Sequence, residues 1–339
     1  MELRDYVLRR LVLLIPVLLG VLILVFTISY VIPTDPAQVW AGGLHARPEQ
    51  VELIRERYHL NDPLYMQIYY YLEGILHGDM GISASTRRPV LDDLKSFFPA
   101  TFELAIFSFI LAVVFGIPLG VISALKRNKM IDHISRALAL TGASTPLFWM
   151  ALILQFIFYY KLGWLPAAGR VEVPLERITG MVLIDSTLTG NMAAFVDALK
   201  RLAMPSFCMA FWSMGYLVRI TRSSMLEVLG MEYIMTAQAK GLPQRIVHYR
   251  HALRNAIIPP ITILGIRFGW LLAGAVLLET IFAWPGMGRY AASSIVEVDL
   301  PAMVGYCLVV AVVMILANLI VDITYAFIDP RVRVGGKYE

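Results

Sequence analysis

Few side chains in this sequence stand where they could do chemistry. His248 and His251 sit three residues apart in "QRIVHYRHALRNA", a spacing that puts two imidazoles on one helical face and could begin a metal site. No carboxylate or thiol accompanies them in that stretch, so no metal is expected there. Phosphate chemistry calls for G-x-x-x-x-G-K-[ST], zinc proteolysis for H-E-x-x-H and acyl transfer for G-x-S-x-G; none of these occurs. Cys208 and Cys307 both fall in apolar runs and read as small buried hydrophobes rather than a disulfide. The sequence therefore predicts no catalytic residue, no resident cofactor and no metal ligand.

Two charges lie inside long apolar runs. An ionised side chain in lipid costs about 3 kcal/mol on insertion scales, so such groups pair with a partner or line a polar path. Asp322, near the end of its run, is expected to make an ion pair or a packing contact, and Arg267 is expected to face a pathway. Glu279 and Arg289 bracket "TIFAWPGMG", which reads as an interfacial aromatic followed by a sharp turn. Tyr69–Tyr71 reads as packing.

The elements that carry these residues are membrane elements. Of 339 residues, 58% are hydrophobic and 16% charged, with mean hydropathy +0.67; soluble domains are roughly half apolar and a quarter charged. Segments long enough to span a bilayer are Leu11–Ile32, Thr101–Leu125, Ala137–Tyr160, Leu202–Ile220, Ile257–Phe282 and Ala302–Ile328. The first is too long for a signal-peptide core and reads as an uncleaved anchor. With six spans, one side collects Arg4, Arg9 and Arg10; Lys126, Arg127 and Lys129; Arg219, Arg222, Lys240, Arg245, Arg250 and Arg254; and Arg331, Arg333 and Lys337. By the positive-inside rule that side is the cytosol, with both termini there.

Residues 34–100 are too long for a plain connector. Pro48 and Pro63 each stand where a helix opens, so a small helical lobe is expected outside the membrane. The predicted all-α chain thus divides into an anchor (1–33), the lobe (34–100), a five-helix core (101–328) holding a cytoplasmic loop at 221–256, and a tail (329–339).

That loop is ordered in an unusual way for a polar connector. Good helix formers run from Ser224 to Lys240, Gly241 sits where a helix ends, and Pro243 is placed to start another. Along the second helix Ile246, Tyr249, Leu253 and Ile257 form an apolar stripe, with Arg245, His248, His251 and Asn255 on another face. Ala237, Ala239 and Gly241 would let another backbone come close. The pattern suits docking into a groove on another protein.

At these residues the chain resembles a known family. "EYIMTAQAKG" followed by "IVHYRHALRNAIIP" is similar to the cytoplasmic loop of binding-protein-dependent ABC importer permeases, in particular the dipeptide/oligopeptide/nickel family. The likeness extends to "IPTDPA", "LNDPLYMQ", "HGDMGIS", "TRSSMLEVLG", "ETIFAWPGMGR" and "NLIVDITYAFIDPRVR", in that order along nearly the whole chain. The long connection from Lys161 to Arg201 looks like that of a dipeptide-type first permease subunit. Departures are Met235 and Gln238, where members commonly have arginine, Pro260, where an aliphatic residue is usual, and Arg267, where related permeases generally have an uncharged polar residue.

The resemblance implies a type I ABC importer permease in a bacterial inner membrane, carrying di- or oligopeptides by alternating access; nickel chelates, glutathione or another small solute are the alternative cargoes. It implies no enzyme activity here, ATP and Mg²⁺ being bound by partner subunits. The partners implied are a second homologous permease subunit, two cytoplasmic ATPase subunits, an extracytoplasmic peptide-binding protein and membrane lipid, with no nucleic acid. In such families the loop is a coupling helix seated in a cleft of the ATPase. Carried over, the contact centres on Glu232, Thr236, Ala237, Ala239, Lys240 and Gly241, supported by Ile246, His251 and Asn255. Arg267 departs from the family, and its charge in an apolar run is expected to meet a peptide carboxylate or an acid of the second permease.

Overall fold

The computed structural model describes residues 3–31, 35–273 and 276–328, and they are overwhelmingly helical. The Asp322 side chain, the side chains of Arg4, Arg9 and Arg10, and the basic tail lie outside the described residues.

The first helix, α1 (Leu3–Val31), runs unbroken through Pro16. Three short helices follow. α2 (Pro36–Trp40) is capped by Asp35, whose carboxylate accepts the Ala37 N–H. α3 (Pro48–Arg57) opens on its proline as the sequence predicts, and α4 (Leu64–Leu76) begins directly after Pro63. α4 lays Leu64, Ile68, Tyr71, Leu72 and Ile75 on a core made by Leu22, Val25 and Phe26 together with Leu300, Val304 and Leu308. Trp40 fixes the same region from α2, its indole donating to the Val298 carbonyl at 3.1 Å.

α5 (Val90–Leu125) ends where the expected span ends but begins well before Thr101, crossing both Pro99 and Pro118. The expected single run Ala137–Tyr160 is broken. α6 (Met130–Ser144) and α7 (Leu147–Leu154), which continues to Lys161 in wider π-helical turns, meet at 106°. Pro146 causes the break: it offers no N–H to the preceding turn and holds Thr145 extended at ψ 125°.

After α8 (Val182–Leu188), α9 (Met192–Leu229) is 38 residues long and overruns the expected Leu202–Ile220 at both ends. Then come α10 (Glu232–Ala239), α11 (Gln244–Ile246) and α12 (Leu253–Ala256), the last two joined by π-helical turns over Val247–Ala252. α13 (Ile258–Ala273), α14 (Val276–Ile281), α15 (Met287–Val296) and α16 (Leu300–Ile328) complete the chain.

Helices in lipid gain nothing from the hydrophobic effect on pairing, so close backbone approach and van der Waals packing must hold them. Glycines provide it here. A Cβ on Gly120 of α5 would lie 2.6 Å from the Thr221 Cβ of α9. One on Gly215 of α9 would lie 2.5 Å from the Ala139 carbonyl oxygen of α6, and one on Gly142 of α6 would lie 2.6 Å from that of Phe211. α5, α6 and α9 are thereby locked backbone to backbone.

Buried carboxylates knit the other end of the bundle. Glu279 of α14 is wholly buried; Thr101 Oγ1 donates to it at 2.6 Å and the Arg289 N–H at 3.0 Å. Trp284, also buried, donates to the Ala100 carbonyl at 2.9 Å, which makes the Trp-Pro-Gly corner a structural joint between α5 and α14–α15. Glu103 pairs with Arg170 at 3.1 Å and accepts the Leu183 N–H at 2.7 Å, tying the 162–191 connection to α5.

By length and apolarity alone, α5 and residues Leu300–Ile320 of α16 are each able to cross a membrane, and the bent pairs α6–α7 and α11–α13 are able to do so as pairs. α9 offers Leu202–Val218 free of charge, diluted by Pro205, Ser206, Ser213 and Gly215.

Candidate functional site

Glycine sets both ends of α10. The single helix expected from Ser224 to Lys240 does not form. α9 stops at Leu229, the Gly230 N–H turns back to the Glu227 carbonyl at 3.1 Å, and Met231 is extended at ψ 147° before α10 starts. At the far end Gly241 adopts φ +74°, a left-handed conformation that glycine enters without steric cost. Its N–H donates to the Gln238 carbonyl at 2.9 Å and that of Leu242 to Ala237 at 3.4 Å, the paired bonds of a Schellman cap. Pro243 then precedes α11.

The second helix is phased differently from the expected stripe. Val247, Ala252 and Ala256 are fully buried, whereas Ile246 and Tyr249 are exposed and Leu253 is half-buried. The π-helical turns explain this: one extra residue per turn moves the inward position five residues on, from Val247 to Ala252. A 3.6-residue period applied across that turn selects the wrong face.

Beneath the two helices lies one apolar cluster. Ile234 and Ala237 of α10 join Val247, Ala252 and Ala256, and pack on Val121 and Ala124 of α5 and Met225 and Val228 of α9. Asn255 stitches the pair from above, its amide donating to the Tyr233 hydroxyl at 2.7 Å. The site residues separate accordingly. Glu232, Thr236, Ala239, Lys240, Gly241 and Ile246 are exposed. Ala237 is buried within this chain, so it roots the platform rather than presenting a surface. His251 is half-buried and Asn255 serves the helix–helix bond. Burial lowers the His248 pKa and favours its neutral form. Among the described residues no three His, Cys, Asp or Glu side chains gather as metal ligands.

One anchor of this platform escaped the sequence analysis. Asp132 at the start of α6 is fully buried and receives Arg222 of α9 in a bidentate pair, at 2.7 and 2.8 Å. It also accepts from Ser123 Oγ at 2.7 Å and from the Asn128 N–H at 2.9 Å. The carboxylate thus clamps the ends of α5 and α6 to α9, next to where α10 departs. The sequence does place an acid soon after the basic cluster Lys126–Lys129, but nothing in it marks Arg222 as the partner. Arg267 lies apart from the platform in α13, half-buried, its guanidinium over the rings of Trp212 and Tyr216.

This arrangement has no nucleophile, base or metal cage. It is a polar, basic surface packed on α5 and α9 through one apolar cluster.

The family model for the binding-protein-dependent transport system inner membrane component matches residues 116–334, and the corresponding N-terminal model matches residues 3–105. The chain belongs to this family. The membrane component is 47% identical over 326 residues to the probable D,D-dipeptide transport system permease protein DdpB of Escherichia coli (strain K12), covering 95% of this chain and 96% of that one. It is 43% identical to the dipeptide transport system permease protein DppB of Alkalihalophilus pseudofirmus, over 97% and 99% of the two chains. Identity to the glutathione transport system permease protein GsiC of Escherichia coli O6:H1 is 36%, again over 97% and 99%. As a membrane component of such a system, the protein is a multi-pass membrane protein.

Proposed function

We propose that this chain is one of two permease subunits of an ATP-driven importer of di- and oligopeptides. The cargo assignment is supported by the printed functions of the DdpB and DppB relatives, matched end to end at 40–47% identity. The 36% identity to a glutathione permease supports glutathione, itself a small peptide, as the second reading.

In this reading six segments cross the inner membrane, both termini face the cytosol, and α2–α4 form a lobe outside. A loaded binding protein docks on that side. Two separate ATPase subunits, which bind the ATP and Mg²⁺, grip α10–α12 from the cytosol, and peptide passes between this chain and a second permease. The observation that carries the mechanism is the platform: an exposed set at Glu232, Thr236, Ala239, Lys240, Gly241 and Ile246, standing on apolar residues shared with α5 and α9. Ala237 roots that set from within, Asn255 ties the two helices at the surface, and His251 lies half-buried beside them. Arg267 faces the path taken by the cargo. The chain alters no bond in the cargo.

Co-purification followed by reconstitution tests the reading. Stoichiometric ATPase subunits and ATP-dependent, binding-protein-dependent peptide uptake are expected; uptake by this chain alone in liposomes would overturn it.

A further inference from the structure

Arg267 of α13 holds its guanidinium carbon 3.6 Å from the ring centre of Tyr216 and 4.7 Å from that of Trp212, both on α9. A second guanidinium, that of Arg219, stands 5.2 Å from the same Tyr216 ring. Trp212, Tyr216 and Arg219 follow at i, i+4 and i+7 and so share one stripe of α9. Arg55, Arg88, Arg170, Arg201 and Arg222 each meet a carboxylate, whereas Arg267 and Arg219 have no acidic partner among the described residues. Farther along α9 a groove of about 520 Å³ opens between α6 and α9, lined by His133, Arg136, Arg219 and Arg222 over apolar residues that include Ala143, Gly215 and Val218. Asp132 neutralises Arg222 there, while among the described residues no acid pairs with Arg136 or Arg219.

An aromatic face returns less to a cation than an arginine costs within a membrane span. Two guanidiniums beside one ring also repel each other. A guanidinium held over a ring spends its π face and keeps its N–H donors, which radiate in its plane, for a carboxylate fork. Arg219 is exposed, but the half-buried Arg267 is incomplete without an anion, and no side chain of the described residues provides one.

Building on the peptide-import reading, we propose that Arg267, Tyr216, Trp212 and Arg219 form a carboxylate station on the translocation path. Arg267 receives the C-terminal carboxylate of a peptide, and Arg219 passes it on into the basic groove between α6 and α9. The absence of a fixed acid suits a transit site, since cargo held by two separate cations can leave as readily as it enters.

The test uses the assembled permease–ATPase complex with its binding protein in proteoliposomes, and dialanine, Ala-Asp and Ala-Lys as probes. Arg267→Gln and Arg219→Gln should each lower maximal import of all three probes, which share the C-terminal carboxylate, by about tenfold, the size of one lost charged hydrogen bond. Lysine at either position should recover part of the rate, since it restores the charge but not the planar fork. Wild-type import rates in both glutamine variants would overturn the station. Losses that lysine leaves unchanged would assign the arginines to helix packing, and loss of the second permease from the complex would assign them to a neighbour's acid; either overturns it. A wild-type complex that imports none of the three probes yet imports another solute would overturn the peptide reading itself.

Discussion

A single carboxylate decides how the ends of three helices meet. Asp132 is fully buried and satisfied by Arg222, Ser123 and the Asn128 backbone. Removing one member of a buried pair leaves the other charge uncompensated, at a cost of about 3–5 kcal/mol. Arg222 keeps some exposure, so Asp132→Ala should cost about 3 kcal/mol, the low end of that range, seen as a fall in the melting temperature of the detergent-solubilised protein. An unchanged melting point would mean that the clamp adds nothing. Sequence spacing could not reveal this pair, because its members stand 90 positions apart. Glu279 poses the same problem: its partner Thr101 is 178 positions away.

At the scale of the element, the turn between α10 and α11 works as a stiff corner. Gly241 is left-handed with open space around the position a Cβ would take, so any substitution acts through backbone strain and not through a clash. Gly241→Val, β-branched and disfavoured there by about 1–2 kcal/mol, should leave binding-protein docking intact while ATP hydrolysis proceeds without transport. Gly241→Asn, which tolerates this conformation, should stay coupled, and normal transport by the valine variant would place the contact elsewhere. The corner was legible because glycine and proline write it into the chain. The inward face of the second helix was not, because π-helical turns change the period without changing composition. On the opposite side, Asp185 of α8 is buried, which works against its charge, yet bonds from the Thr179 N–H and hydroxyl and the Gly180 N–H outweigh burial and hold its pKa below the usual carboxylate value. A depressed folded pKa contributes stability that is present above the ordinary value, about 4, and is lost as pH falls through the folded one. Limited proteolysis should therefore cut residues 162–191 faster as pH drops below that range, and Asp185→Asn should abolish the pH dependence.

For the whole molecule, glycines hold α5, α6 and α9 at close approach, and in the proposed function that lock would carry a movement of the platform into the bundle. A Cβ on Gly215 would strike the Ala139 carbonyl and, at 2.8 Å, the Ala143 nitrogen, both backbone atoms that cannot step aside. Gly215→Leu should force α6 from α9 and yield aggregated protein on size-exclusion chromatography, whereas Gly20→Leu, with nothing within 4 Å of the added Cβ, should elute as the wild type does. What the sequence determined by itself was the class of molecule, the approximate helices, the corner at Gly241 and the family, since apolar run length, turn residues and ordered motifs are local properties of a chain. The tertiary structure alone decided that α6 and α7 form two arms meeting at 106°, that Ala237 is a root and not a contact, and that Arg267 and Arg219 converge on Tyr216. Each of these depends on which distant helix stands opposite, and a one-dimensional pattern carries no record of its neighbour.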